Sequence, residues 1–295
     1  MTSMVYRRKG PLVIFLVPAF LFMGLFLYYP FVMNVYNSFC SIDGLGTAAA
    51  GMNQPWYENY KKLFQDPMMA TAVKNTLLLM VLTIIFQVGV ALLLALMVDH
   101  IRAGTQFFRT VYFFPIVISA TALGLLFNLI FLYDGGMVNQ LLQMLGSTEV
   151  IDWKDETHFL FTMTLPVMWQ YVGFYFVILV TGLNNISEEL YEAAEIDGAG
   201  KLQQVRYITL PLLHNVLCTC LILAITGALK VFDLPWVMMG EGIPMNLSWL
   251  TGTYMYHQTF TMGDVDYGSA IAIVIVVLGV VIAQAANKIF KEKDY

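Results

Sequence analysis

Charge is scarce in this sequence. Lysine, arginine, aspartate and glutamate make up 12% of the 295 residues, where soluble domains carry about 25%. Hydrophobic residues fill 59% of it, against about 45–50% in soluble domains. A compact soluble domain of this length could not hide so much apolar surface, so lipid is the solvent for much of it. That excludes a disordered chain, a nucleic-acid binder and an ordinary cytosolic enzyme. The net charge of −5 is too mild to point to a partner. Cysteine is scarce too. Cys40, Cys218 and Cys220 give no disulfide framework and no metal spacing. The last two, two residues apart on an apolar helix, point to different faces and cannot easily pair.

Motifs for chemistry are also missing. There is no phosphate-binding Gly-x-x-x-x-Gly-Lys-[Ser/Thr] loop, no His-Glu-x-x-His and no Gly-x-Ser-x-Gly elbow. His100, His158, His214 and His257 are scattered, which leaves an intramembrane enzyme without a constellation to rest on. Ion-coupled carriers and channels place ionisable groups at mid-membrane or use internal repeats; neither is evident here. A carrier or channel stays as the alternative of a different class.

What is present is a series of charge-free runs at 10–42, 75–98, 110–133, 157–187, 207–229, 242–263 and 267–287. Six read as membrane-spanning helices, at about 11–39, 75–98, 110–133, 159–183, 212–232 and 267–287. The run 242–263 carries Pro, Asn, Ser, His, Gln and several Thr. Those groups would go unsatisfied in lipid, so it reads as an outside loop or an interfacial segment. The first run is too long for a cleaved signal peptide, and Pro18 and Pro30 are expected kink sites. With the N-terminus inside, the inner segments hold Arg7, Arg8, Lys9, Arg102, Arg109, Lys201, Arg206, Lys288, Lys291 and Lys293. The outer segments hold Lys61, Lys62, Lys74, Lys154 and Lys230. The bias puts both termini in the cytoplasm: residues 1–9 as a short cytoplasmic N-terminus, 10–290 as the six-span domain and 291–295 as a cytoplasmic tail.

The inner loop 184–211 is the most charged stretch. Ser187 suits a helix N-cap, with Glu188 and Glu189 at the positive end of the helix dipole. Leu190, Ala193 and Ala194 fall on one face. Gly198 and Gly200 end that helix and turn the chain. Lys201 to about Ile208 forms a second short helix, with Leu202 and Val205 on one side. Pro211 stands at the start of the fifth span. Small methyl groups beside Glu192 let another protein approach the backbone closely. The chemistry fits a docking element, a solvated linker or a helix resting on headgroups. The acidic excess speaks against the last.

At these residues the sequence resembles the permease subunits of ATP-binding-cassette importers of the carbohydrate-uptake class. Their signature is Glu-Ala-Ala, three residues, Gly, nine residues, Ile-x-Leu-Pro. Here it reads Glu192-Ala193-Ala194, Gly198, and Ile208-Thr209-Leu210-Pro211. Leu190-Tyr191, Ile196-Asp197-Gly198-Ala199 and Lys230-Val231-Phe232-Asp233 also look like the sugar class. The usual Gly-Gly-Pro appears only as Gly242-Ile243-Pro244. The resemblance covers about residues 10–290. It implies an all-α integral membrane protein with the type I importer fold, in a bacterial cytoplasmic membrane. It implies as partners a second permease, two ATPase subunits, an extracytoplasmic solute-binding protein and a sugar, in a lipid setting. ATP and Mg would sit on the ATPase, with no cofactor on this chain. Carried over residue by residue, Glu192 would pair with a basic group of the ATPase and Ala193 and Ala194 would pack on it. Gly198 would make the turn, and Ile208, Leu210 and Pro211 would anchor the loop to span five.

Polar and aromatic residues inside spans mark a substrate path or pack against other helices. The candidates are Trp169, Gln170, Tyr171, Phe174 and Tyr175 in span four, Thr226 and Lys230 in span five, and Asn128 in span three. Lys230 has two other readings, snorkelling to the surface or pairing with Asp233. A scarcity of cations favours a neutral sugar or short oligosaccharide, with a polyol or glycerol-phosphate-type substrate as the alternative. Outside, Trp56, Tyr57, Tyr60 and Phe64, and Trp236, Trp249, Tyr254 and Tyr256, either receive a binding protein or form an aromatic belt.

Overall fold

The computed structural model describes residues 9–99 and 105–290. Helix dominates, and the strands among these residues are Cys40–Ser41 and Gly51–Met52, paired antiparallel with Cys40 opposite Met52. Four helices are long and apolar enough to cross a membrane: Val13–Asn37, Pro67–Val98, Phe159–Leu183 and Val265–Ile289. Two bent pairs reach that standard only together. Gln106–Val117 meets Ala120–Ile130 at 92°, and Lys201–Leu212 meets His214–Ala228 at 68°. Counting each pair as one gives six. Arg7, Arg8, Arg102, Lys291 and Lys293, which carry much of the orientation argument, lie outside the described residues, as do His100 and the tail 291–295.

The fourth helix has the expected bounds. The second starts at Pro67 rather than at 75, because Lys74 stays exposed and does not interrupt it. The expected rod 110–133 is broken. Pro115 lies inside the first half, the amide of Ile118 folds back to the Pro115 carbonyl at 3.3 Å, and Ser119 is extended. The expected span 212–232 is a helix His214–Ala228 set off from the preceding turns at Leu213. Pro211 has no N–H to give the turn before it, and a π turn, Val205–Thr209, takes up the slack there. Pro18 and Pro30 do not break the first helix, where another π turn, Gly24–Tyr28, precedes Pro30.

The described chain forms two compact units. One comprises residues 9–66 and 255–274. Its loop is tied by polar side chains. Asn59 donates to the carbonyls of Ser38 and Cys40 at 3.1 and 3.2 Å, and Tyr267 donates to Asp66 at 2.6 Å. Lys62 pairs with Asp264 at 2.5 Å.

The other unit comprises residues 67–254 and 275–290. Val88, Ala91, Ala95 and Val98 pack on Tyr175, Phe176, Leu179, Val180 and Leu183, with Leu213, Cys220 and Ala224 completing the cluster. Small residues at 91 and 95 let helices approach closely, which replaces the hydrophobic drive that lipid removes. Gly173 serves the same end. A Cβ there would fall far inside contact distance of the Tyr112 carbonyl. A second cluster joins Leu79, Leu123, Phe131 and Trp153 to Leu234, Met238, Met239 and Leu250. The loop before the fourth helix is held by Asn139. It donates to the carbonyls of Leu132, Tyr133 and Ile151 and accepts from the Trp153 indole at 3.0 Å.

The stretch 242–263 is a turn followed by helix Thr251–Tyr256 and a π turn His257–Thr261. Gly242, Met245 and Asn246 take left-handed φ of 81°, 46° and 64°. The polar groups that argued for an exposed loop are satisfied inside. Asn75 donates to the carbonyls of Leu247 and Trp249 at 2.6 and 3.0 Å, and Thr253 caps the Leu250 amide at 2.9 Å. Trp249 and Tyr254 are buried and stack at 5.4 Å, so these two rings are core and present no outer docking surface. Gly242 is required beneath Trp249, whose ring would lie 2.5 Å from a Cβ at that position.

Candidate functional site: a capped helical loop and an intramembrane hollow

The loop after the fourth helix folds by local rules. Ser187 is extended and its hydroxyl accepts the Glu189 amide at 3.3 Å, starting helix Glu188–Ile196. Glu188 and Glu189 occupy the first turn, where the helix dipole favours negative charge. The helix ends in a double hydrogen bond around Gly198. The Gly198 amide donates to Glu195 O at 3.1 Å and the Ala199 amide to Ala194 O at 2.9 Å. This closure needs a left-handed residue, and Gly198 has φ +81°. Gln203 then accepts the Gly200 amide at 2.8 Å and opens the second helix, Lys201–Gln204. Lys201 reaches back to Glu195 at 2.7 Å, and its ammonium holds that carboxyl below the usual carboxylate range.

Glu192 and Ala193 are exposed, Ala194 is half-buried, and Glu192 makes no ion pair among the described residues. Ala194, Asp197, Gly198, Gln203, Tyr207 and Ile208 line an open hollow of about 350 Å³ between the two short helices. Leu210 and Pro211 are half-buried beyond it. Of the two residues expected on one side of the second helix, Leu202 is 83% exposed and Val205 half-buried. Ile196 is 86% exposed. Sequence reasoning had no rule to find Ile196 and Tyr207 as part of this apolar surface, because neither fits the helical stripe. The loop therefore offers apolar side chains, small methyls and exposed carboxylates, Glu192 among them, around a rigid turn. That is chemistry for receiving a protein surface with a basic group.

A second hollow, of about 210 Å³, lies among three helices of the same unit. It is lined by Thr83, Gln87, Val167, Tyr171, Tyr175, Ala224, Gly227, Ala228, Lys230 and Val231. Gln87 spends its amide nitrogen on the Val167 carbonyl at 3.0 Å, and Thr83 donates to Met80 O at 2.8 Å. Of the eight path candidates expected from sequence, Tyr171, Tyr175 and Lys230 line this hollow. Trp169 stands with its edge to Phe127 at 5.8 Å, and Phe174 packs against Tyr175 at 5.2 Å. Gln170 is buried and donates to the Ile118 carbonyl at 3.4 Å, where the broken helix exposes it. Thr226 bonds back to Ile222 O at 2.9 Å. Lys230 forms no ion pair with Asp233. Asn128 donates to Val237 O at 3.1 Å, bonding a neighbouring helix. Thr83 and Gln87 carry the same signal, polar groups in an otherwise apolar run, yet are not among the sequence candidates.

Residues 87–293 match the family model described as "Binding-protein-dependent transport system inner membrane component". The chain is 35% identical over 292 residues to the probable ABC transporter permease protein YurN of Bacillus subtilis (strain 168), covering 98% of each. It is 32% identical over 286 residues to the sulfoquinovosyl glycerol transport system permease protein SmoG of Agrobacterium fabrum, covering 96% of this chain and 91% of that one. Among solved structures it is similar in fold to a chain of a bacterial alginate ABC transporter in complex with an alginate pentasaccharide-bound periplasmic protein. The TM-score is 0.83 at 23% identity, over 97% of both chains.

Proposed function

Since the chain belongs to the inner-membrane components of binding-protein-dependent transport systems, we propose that it forms half of the translocation path of a sugar importer and couples that path to separate ATPases. Two observations support the reading, and the loop carries it. A double-capped helix presents an unpaired Glu192, Ala193 and Ala194 beside a rigid glycine turn. Ile208, Leu210 and Pro211 follow just before the 68° bend of the second bent pair. A loop tied at both ends moves as one body when its partner moves, so a push on Glu188–Ile196 is passed to the helix beyond. In this reading ATP and Mg sit on two ATPase subunits. A second permease completes the path, and an extracytoplasmic binding protein delivers the substrate.

The hollow around Tyr171, Tyr175, Gln87 and Lys230 is this chain's share of the path. Aromatic rings there suit the C–H faces of a sugar, and the amide and ammonium suit its hydroxyls. The relative named for sulfoquinovosyl glycerol transport makes a carbohydrate the favoured substrate. A polyol or glycerol-phosphate-type substrate is the other possibility, with Lys230 to meet a phosphate.

The test is composition of the complex. The tagged chain, extracted from its own cell in mild detergent with ATP and orthovanadate, should bring down an ATPase, a second multi-span chain and a binding protein. Recovery of the chain alone, under conditions that keep a known importer whole, would contradict the reading.

A further inference from the structure

Resting on the coupling reading above, we propose that Tyr191 is a positioning residue of the coupling step: its hydroxyl, bonded to Thr209, joins the docking helix to the fifth transmembrane helix so that the two move together. The hydroxyls of Tyr191 and Thr209 lie 2.9 Å apart, eighteen residues apart in the chain. Tyr191 is the residue before Glu192, in the middle of helix Glu188–Ile196. No residue of that helix is buried, so packing alone does not fix it. Glu195 also ties the helix to the second half of the loop, through a hydrogen bond with Gln204 and through the Glu195–Lys201 pair. That pair is more than half exposed at both ends, and such pairs hold little.

Thr209 is different. It is 2% exposed, and a buried hydrogen bond keeps its strength where water cannot compete. Thr209 donates to the Gln204 carbonyl at 3.4 Å, which leaves an oxygen lone pair to accept the Tyr191 proton. Gln204, itself buried, donates to the Ala199 carbonyl at 3.4 Å and so ties the same centre to the glycine turn. The Thr209 carbonyl accepts the Leu213 amide at 2.8 Å, and the Leu213 carbonyl accepts Leu217 at 2.9 Å. This path crosses the 68° bend and enters His214–Ala228. Displacement of the docking helix therefore reaches the bend through the Tyr191 phenol. Without it the two halves are held by Glu195 and the glycine turn, with no bond from the docking helix to Thr209, and can slip at the bend.

The test needs no knowledge of the substrate. A cysteine placed at Gly227 reports on the hollow, because Gly227 lines it and a Cβ there meets nothing within 4 Å. The native cysteines are buried. In the reconstituted importer, reactivity of Gly227→Cys toward an impermeant maleimide should change when ATP and orthovanadate trap the ATPases. Adding Tyr191→Phe should leave the ATPase bound and trapped, but shrink that change about three- to ten-fold, the scale of one hydrogen bond. Thr209→Val should do the same and Thr209→Ser should restore it. The double variant should be no worse than either single one. A full change in both Tyr191→Phe and Thr209→Val would overturn the inference and leave the coupling reading standing. Loss of the bound ATPase in Tyr191→Phe would also overturn it, since Tyr191 would then shape the docking surface instead. No change in the Gly227→Cys parent on trapping would overturn the coupling reading itself, and the inference with it.

Discussion

The amide of Ala199 donates to the carbonyl of Ala194 across the left-handed Gly198, at 2.9 Å. That bond ends helix Glu188–Ile196 one turn after Glu192 and turns the chain into the second short helix. It also says what Gly198 is for. Nothing lies within 4 Å of a Cβ added there, so any cost of substitution is conformational, not steric.

Gly198→Ala should cost about 1 kcal/mol at the turn, and Gly198→Val more, because a β-branched side chain resists positive φ. The expected result is unchanged folded yield with less ATPase recovered per tagged chain, Val below Ala. Wild-type recovery for both variants would mean the turn does not hold the docking surface.

Glu192→Lys reverses a charge that is exposed and unpaired. Surface changes of this kind usually move stability by less than about 0.5 kcal/mol. Its thermal unfolding in detergent should match wild type while ATPase recovery falls sharply. A matching loss in both would assign Glu192 a structural role instead.

Gly173→Ala presses a methyl into the Tyr112 backbone. Overpacking of this kind costs about 1–3 kcal/mol, so the melting temperature should drop. Gly227→Ala, where space is open, should leave it unchanged. Equal stability of the two variants would mean the helices there are not held as closely as drawn.

Asp155 sets the start of the fourth helix, accepting the Thr157 and His158 amides at 2.9 and 2.7 Å. Partial desolvation pushes its carboxyl up, but the Thr157 and His158 hydrogen bonds outweigh that and hold it at about 2. A free aspartate titrates at about 3.9. A depressed folded-state value means the stabilisation is full above the free value and lost as pH falls through the folded one. The melting-temperature gap between wild type and Asp155→Asn should therefore be constant at neutral pH and close between about pH 4 and 2. A gap that widens on acidification would contradict the assignment.

The parts of this molecule legible in its sequence are those decided by near neighbours. Ser187, Gly198 and Gln203 act within three or four residues, so the loop's two helices and their turn could be anticipated. Phe159–Leu183 has the expected bounds because its charge-free run has no internal break. Hydropathy gave no warning of the bend at Ser119, since the residues on both sides are equally apolar, and Pro115 alone does not specify 92°. The segment 242–263 is not among the candidate spans, as its polarity implied, but its inward packing was illegible for a related reason. Polarity was counted there, but Asn75, which satisfies two of its carbonyls, lies far away in sequence. The hollow is a tertiary product of helices spanning residues 83–231, and of the expected path residues Tyr171, Tyr175 and Lys230 face it. The paired hydroxyls of Tyr191 and Thr209 were invisible for the same reason.

The central claim is that the loop around Glu192 meets an ATPase. A photo-crosslinking amino acid at Leu202, which is 83% exposed beside that loop, tests it in the living cell without purification. Illumination should join this chain to an ATP-binding subunit, and Glu192→Lys should weaken that product. Crosslinks to lipid alone, or to an extracytoplasmic binding protein, would contradict the account.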